Sequence, residues 1–189
     1  IIGNEMYTNE ELIDGFELSE GSFFSFLAND NQYSREKLKG DIETLESFYR
    51  NRGYLKFSIE SSQISLSRDK KSIFITFNVN EGDKYKINDV DVVGDIPFEE
   101  AIYKDIIESL KDTTYSQAQI TGIEEYFINI LGNRGYAFAE VAGNPEIDEE
   151  NKEVKLIFSV QPGNRTYTRK ILFTGNDITQ DQVLRREMR

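Results

Sequence analysis

The 189 residues contain neither cysteine nor histidine. Disulfides, thiol nucleophiles, imidazole acid–base pairs and most zinc sites are excluded together. The lack of cysteine does not by itself identify a compartment. No apolar run approaches the length of a membrane-spanning helix, and a hydrophobic content of 38% is that of a globular chain. No leader-like segment opens the sequence, which says nothing about where the parent protein resides. The chain starts inside one pattern, Ile1-Ile2-Gly3-Asn4, and stops inside another, so it is expected to be a piece of something longer. Basic residues are in the minority. The 22 Lys and Arg face 34 Asp and Glu, a formal charge of −12. That balance argues against nucleic acid, whose binding rests on neutralising phosphates, and against adhesion to an anionic membrane face.

What the chain does have is a repeat. In Lys71–Asn80, Ile73, Ile75, Phe77 and Val79 alternate with polar residues, broken only by Phe74. This is the period of a strand with one buried face. Val154, Leu156, Phe158 and Val160 repeat the pattern 81 residues later. A period that long means one small domain per repeat rather than a solenoid turn.

The remaining elements fall into place around these two strands. Thr8-Asn9-Glu10-Glu11 reads as a capping box opening a short helix whose apolar members are Leu12, Ile13 and Phe16. Residues 19–33 read as a loop that lays Phe23, Phe24 and Phe26 against the core, the alternative being an exposed aromatic binding patch. Ser34 is expected to cap a longer helix reaching about Arg52, with Gly53 ending it. Tyr54–Ser67 is a strand pattern that changes phase across Glu60-Ser61-Ser62-Gln63, which requires an extra residue there, a β-bulge. Arg68–Lys71 is a polar hairpin turn.

The second unit follows at once. Its expected elements are a strand over Tyr85–Val93, a helix with Pro97 in its first turn, and a second helix capped by Ser116. Strands over 137–147 and 153–160 complete it. Asn133-Arg134-Gly135-Tyr136 repeats Asn51-Arg52-Gly53-Tyr54. A third unit is expected to begin with a strand over 166–174 and a helix behind the capping box Thr179-Gln180-Asp181-Gln182. The order per unit is β-α-α-β-β, an α+β fold with two helices on one face of a three-stranded mixed sheet.

Nothing in these patterns marks a reaction centre. Asp148–Lys152 lacks the glycine and ligand spacing of a calcium loop and reads as a charged hairpin turn. The Asn-Arg-Gly-Tyr segments end helices instead of opening them, so they are not phosphate loops. No metal, cofactor or catalytic residue is expected.

The tandem β-α-α-β-β repeat, the Arg-Gly-Tyr at each second-helix end and the closing Gly175-Asn-Asp-Ile-Thr-Gln-Asp-Gln-Val-Leu-Arg-Arg-Glu-Met-Arg189 carry a resemblance. The chain resembles the periplasmic POTRA (polypeptide-transport-associated) repeats of the bacterial outer-membrane barrel assembly family. By that resemblance, residues 1–83 correspond to a third repeat lacking most of its first strand, 84–164 to a fourth and 165–189 to the start of a fifth. The resemblance implies a non-enzymatic periplasmic scaffold whose parent chain continues into an outer-membrane β-barrel. It binds unfolded outer-membrane proteins and lipoprotein partners by strand addition. It also implies that the last strand of each unit lies between the other two, leaving the second strand as an edge. Glu60, Ile64 and Leu66 on that edge match the docking site for a β-propeller lipoprotein. Arg185, Arg186 and Glu187 match the surface for a second, essential lipoprotein. Two other readings stay open. One is the related translocation or autotransporter-assembly branch, and the other is a plain protein-interaction module.

Overall fold

The computed structural model describes residues 1–17, 31–68, 73–167, 169–175 and 180–187, without the side chains of 31–34, 181 and 187. In chain order the elements are α1 (Asn9–Ile13), α2 (Asn31–Arg50), β1 (Ser58–Leu66), β2 (Ile73–Asn80), β3 (Lys86–Gly94), α3 (Glu100–Leu110), α4 (Gln117–Asn133), β4 (Glu140–Asp148), β5 (Glu153–Gln161) and α5 (Asp181–Glu187). The fold is α+β. In the second sheet the order is β3-β5-β4, with β3 parallel and β4 antiparallel to β5. The first sheet holds β1 and β2, antiparallel, and Ile2 bridges to Asn78 in parallel, in the place of a first strand.

The repeat is built on the alternating strands. Val154, Leu156, Phe158 and Val160 are all buried, and Ile120 and Phe127 of α4 share a core cluster with the first three. Ile123 and Ile130 pack against that cluster at partial burial. In the first unit Phe77 and Val79 are buried beside Leu45 and Tyr49 of α2, but Ile75 and Ile73 are only half-buried. Full burial of all four was expected. The difference follows from position. Ile73 and Ile75 stand toward the hairpin end of β2, whereas Phe77 and Val79 stand where Leu12, Leu45 and Tyr49 pack.

Several boundaries move for local reasons. Helix α2 already includes Asn31, so Ser34 lies within it and is not the cap. Tyr54–Phe57 is a turn, with Tyr54 and Phe57 buried and the Phe57 ring stacked on Tyr49 at 4.1 Å. Those aromatics serve the helix end instead of a strand face. Helix α3 begins at Glu100, leaving Pro97 ahead of it. The capping box at Thr8 is present: Glu11 N–H donates to Thr8 Oγ1 at 3.3 Å and Thr8 N–H to Glu11 Oε2 at 2.8 Å. Ser116 Oγ likewise accepts from Gln119 N–H. Ile13, expected in the apolar stripe, is 44% exposed. No strand forms in the described part of 166–174. Phe23, Phe24, Phe26, Thr179 and most of the 68–71 turn lie outside the described residues.

The recurring Arg-Gly-Tyr has two uses. Each glycine has a positive φ, +99° at Gly53 and +93° at Gly135. Tyr54 N–H reaches Tyr49 O, and Tyr136 N–H reaches Leu131 O, closing the paired-bond helix ending of a C-terminal glycine. The same glycine carbonyl then receives the next unit: Tyr85 N–H donates to Gly53 O at 2.9 Å and Thr166 N–H to Gly135 O at 2.7 Å. Asn51 Oδ1 accepts from Ala118 N–H at the start of α4, and Leu55 packs into the second core. Ion pairs Lys56–Glu149 and Lys152–Asp83 flank the link.

One buried polar pair distinguishes the first unit. Tyr49 hydroxyl donates to Glu81 Oε1 at 2.6 Å, and Met6 N–H donates to the same carboxylate. Burial, and then the bond to Glu81, push the Tyr49 phenol far above its ordinary range, so it stays a donor at any accessible pH. The residues in these positions in the second unit are the buried, apolar Leu131 and Pro162.

Three outcomes are expected. Phe77→Ala and Phe158→Ala should each lower stability by about 3–5 kcal/mol, read as a fall in melting temperature. Tyr49→Phe, which strips Glu81 of its hydroxyl donor, should cost about 1.5–3 kcal/mol by denaturant titration. Gly53→Ala should cost more than about 1 kcal/mol from backbone strain alone. Its Cβ would also stand 2.8 Å from Thr114 Cγ2 and 3.0 Å from Tyr85 O across the joint. A melting temperature equal to that of the unsubstituted chain would refute the joint.

Candidate functional site

The outer side of β1 is the strongest candidate. Among the described residues, β1 is hydrogen-bonded to β2 and to no other strand. Its register slips between Ile59 and Ser61, so Glu60 is the unpaired residue of a bulge, at the start of the window where the sequence changes phase. Past the bulge, pairing is regular from Ser61 opposite Asn78 to Leu66 opposite Ile73.

Which backbone groups are free follows from the other side of β2. Ile2 N–H donates to Phe77 O at 2.8 Å and Val79 N–H donates to Ile2 O at 2.9 Å. Phe77 and Val79 therefore turn their backbone away from β1. Antiparallel pairing alternates, so Ser62, opposite Phe77, turns outward, and Ile64 and Leu66 share its phase.

The side chains give a mixed result. Ile64 and Leu66 stand opposite Ile75 and Ile73, on the helix side of the sheet, as a continued core face would place them. Yet they are 56% and 52% exposed, and neither belongs to the first core as formed by the described residues. Phe74, opposite Ser65 on the other face, is 59% exposed. The free end of the hairpin thus shows apolar surface on both faces, with Glu60 exposed at the bulge behind it. Phe74 belongs to this surface and was not among the expected site residues. Its signal in the sequence is the break it makes in the alternation of β2.

The second expected group lies on α5. Arg185 and Arg186 are exposed. Arg185 donates to Ile171 O at 2.8 Å and lies over the Phe173 ring at 5.3 Å, so it fastens α5 to the preceding segment. The Glu187 side chain is outside the described atoms. The edge and α5 are separate elements of different units. The sheets also have a second edge, the first strand. On β3 its start is occupied: Ile87 N–H donates to Thr113 O and Asp112 N–H to Ile87 O, both at 2.8 Å. Among the described residues no cluster of three metal-ligating side chains occurs, and no helix is long and apolar enough to cross a membrane.

Comparison with known proteins matches this geometry to a family. The family model POTRA, described as a surface antigen variable number repeat, matches twice, over residues 1–82 and 85–163. The outer membrane protein assembly factor BamA of Neisseria meningitidis serogroup B is 31% identical over 190 residues, covering 99% of this chain and 24% of that protein. Its namesake from Buchnera aphidicola is 32% identical over 190 residues, 100% of this chain and 31% of that one. The chain thus spans roughly a quarter to a third of these relatives. The crystal structure of Haemophilus influenzae BamA POTRA3-5 superposes with a TM-score of 0.77 at 26% identity, over 99% of this chain and 73% of that one. With two successive units matched by the family model, the chain belongs to the POTRA family.

Proposed function

We propose that this chain is part of the periplasmic scaffold of an outer-membrane β-barrel assembly protein. Residues 1–83, 84–164 and 165–189 are its third repeat, fourth repeat and the start of its fifth. The scaffold is non-enzymatic and its parent chain continues into a barrel. It receives unfolded outer-membrane proteins and lipoprotein subunits by adding their extended segments to the edge of its sheets. Similarity across nearly the whole chain to a solved third-to-fifth repeat array, and to relatives named assembly factors, supports the placement.

The observation that carries the mechanism is the outer side of β1: outward backbone groups at Ser62, Ile64 and Leu66, with Ile64 and Leu66 more than half exposed beside them. An edge of this kind binds through main-chain hydrogen bonds, which tolerate many sequences, while flanking apolar side chains select among partners. Glu60, Ile64 and Leu66 form the docking site for a β-propeller lipoprotein, the bulge at Glu60 setting where pairing starts. Arg185, Arg186 and Glu187 on α5 form the surface for a second lipoprotein.

Two measurements test this. The double variant Ile64→Glu/Leu66→Glu should lose capture of the β-propeller partner while its circular dichroism stays native. Capture retained by a folded variant would rule the edge out. Charge reversal, Glu187→Lys, should weaken co-purification with the second lipoprotein and leave the melting temperature unchanged. Undiminished co-purification would remove α5 from the docking surface.

A further inference from the structure

The two units present the same edge in register but not in chemistry. Ser62 and Gly143 stand opposite Phe77 and Phe158, and Ile64 and Pro145 stand opposite Ile75 and Leu156. On β4, Gly143 N–H does not donate to β5. It donates to Glu124 Oε1 on α4 at 2.6 Å. Gly143, Pro145 and Ile147 are therefore the outward residues of β4, the counterparts of Ser62, Ile64 and Leu66 on β1.

Two successive outward positions of β4 have no amide to offer. Gly143 has given its N–H to Glu124, and Pro145 has none. The register of β4 on β5 runs unbroken from Glu140 to Asp148, as it does when a proline ring faces away from the partner strand. The arrangement is built into the packing. A Cβ at Gly143 would stand 2.6 Å from Ile120 Cγ2 and 3.2 Å from Glu124 Oε1, so the bare glycine is what lets α4 bring its carboxylate to the strand. Glu140, Glu146 and Asp148 add three further negative charges to β4.

β1 has none of these features. Its single charged residue is Glu60. The position on α2 at the same distance before the helix-ending glycine motif as Glu124 on α4 is Ile42, which packs on the first core. Among the described residues, Ser62, Ile64 and Leu66 make no hydrogen bond on their outward side.

We propose that Glu124 and Pro145 close the edge of the second unit to strand addition, so that an extended polypeptide segment is directed to β1 and not to β4. An incoming strand on β4 would find no donor at Gly143 or Pro145 and would bring its carbonyl oxygens against the Glu124 carboxylate. Each hydrogen bond so lost weakens binding by about tenfold. The direction to β1 rests on the strand-acceptor role proposed above, but the closure of β4 does not.

The test uses the whole 189-residue chain, isotopically labelled, with a synthetic ten-residue peptide of alternating valine and threonine flanked by lysines as the probe. Amide shifts and exchange protection on 62–66 and 141–147 report which edge the peptide joins. Protection is expected on 62–66 only. In Glu124→Ala/Pro145→Val it should appear on 141–147 as well, and in Pro145→Val alone to a smaller extent. Ile64→Pro should abolish it on 62–66. Equal protection of both edges in the unsubstituted chain would overturn the proposal. So would a double variant of native circular dichroism with no gain on 141–147. Should the double variant fail to fold, the lack of any gain in Pro145→Val would overturn it equally. A gain on β4 without any binding to β1 would uphold the closure and remove β1 as the acceptor.

Discussion

Each unit depends on its last strand being paired on both sides and covered on one face. In the second unit that strand is β5, and its four core residues are buried to 1% exposure or less. A strand so placed commits its whole backbone to its neighbours and one whole face to the helices. The first and second strands are then necessarily edges. The function proposed for this chain grows from that geometry, because an unpaired strand side is a line of donors and acceptors that another chain can satisfy.

The two units meet the same constraint with different chemistry. At the end of the middle strand the first unit buries a carboxylate, Glu81, held by the Tyr49 hydroxyl and the Met6 N–H. The second unit has Pro162 and Leu131 in those places. The apolar version carries no desolvation cost, whereas the polar one ties residues 6, 49 and 81 into one network, in which losing the Tyr49 hydroxyl leaves the buried Glu81 carboxylate short of a donor. The edges diverge in the same manner, serine and isoleucine on β1 against glycine and proline on β4. A fold can be repeated while its exposed strand is tuned independently, because the edge contributes little to the core.

The joint between units is made by the backbone itself. The glycine that ends α2 also accepts a hydrogen bond from Tyr85, and the glycine that ends α4 does the same for Thr166. This double use rests on the positive φ of the glycine, +99° at Gly53 and +93° at Gly135. A side chain at Gly53 would disturb both the helix ending and the entry of the following strand.

Much of this was legible in the residues. Alternation of Ile73 to Val79 and Val154 to Val160, the capping box at Thr8, the cap at Ser116 and the phase change at Glu60 are local signals, and local backbone chemistry decides them. The boundaries that moved are those where a side chain serves a distant neighbour. Tyr54 and Phe57 pack on Tyr49 and leave the strand. Arg-Gly-Tyr was legible as a helix end but not as a joint, since its second bond spans some thirty residues. On the edge, the sequence placed Glu60, Ile64 and Leu66 on β1 and marked the bulge. It could not say that Ile64 and Leu66 lie on the helix side and yet remain exposed, because the extent of the helical cover is a matter of packing. Nor could it show that Glu124 reaches Gly143, nineteen positions away. Period and capping are properties of neighbouring residues and can be read in order. Which edge is open is decided by groups that meet only when helix and sheet come together.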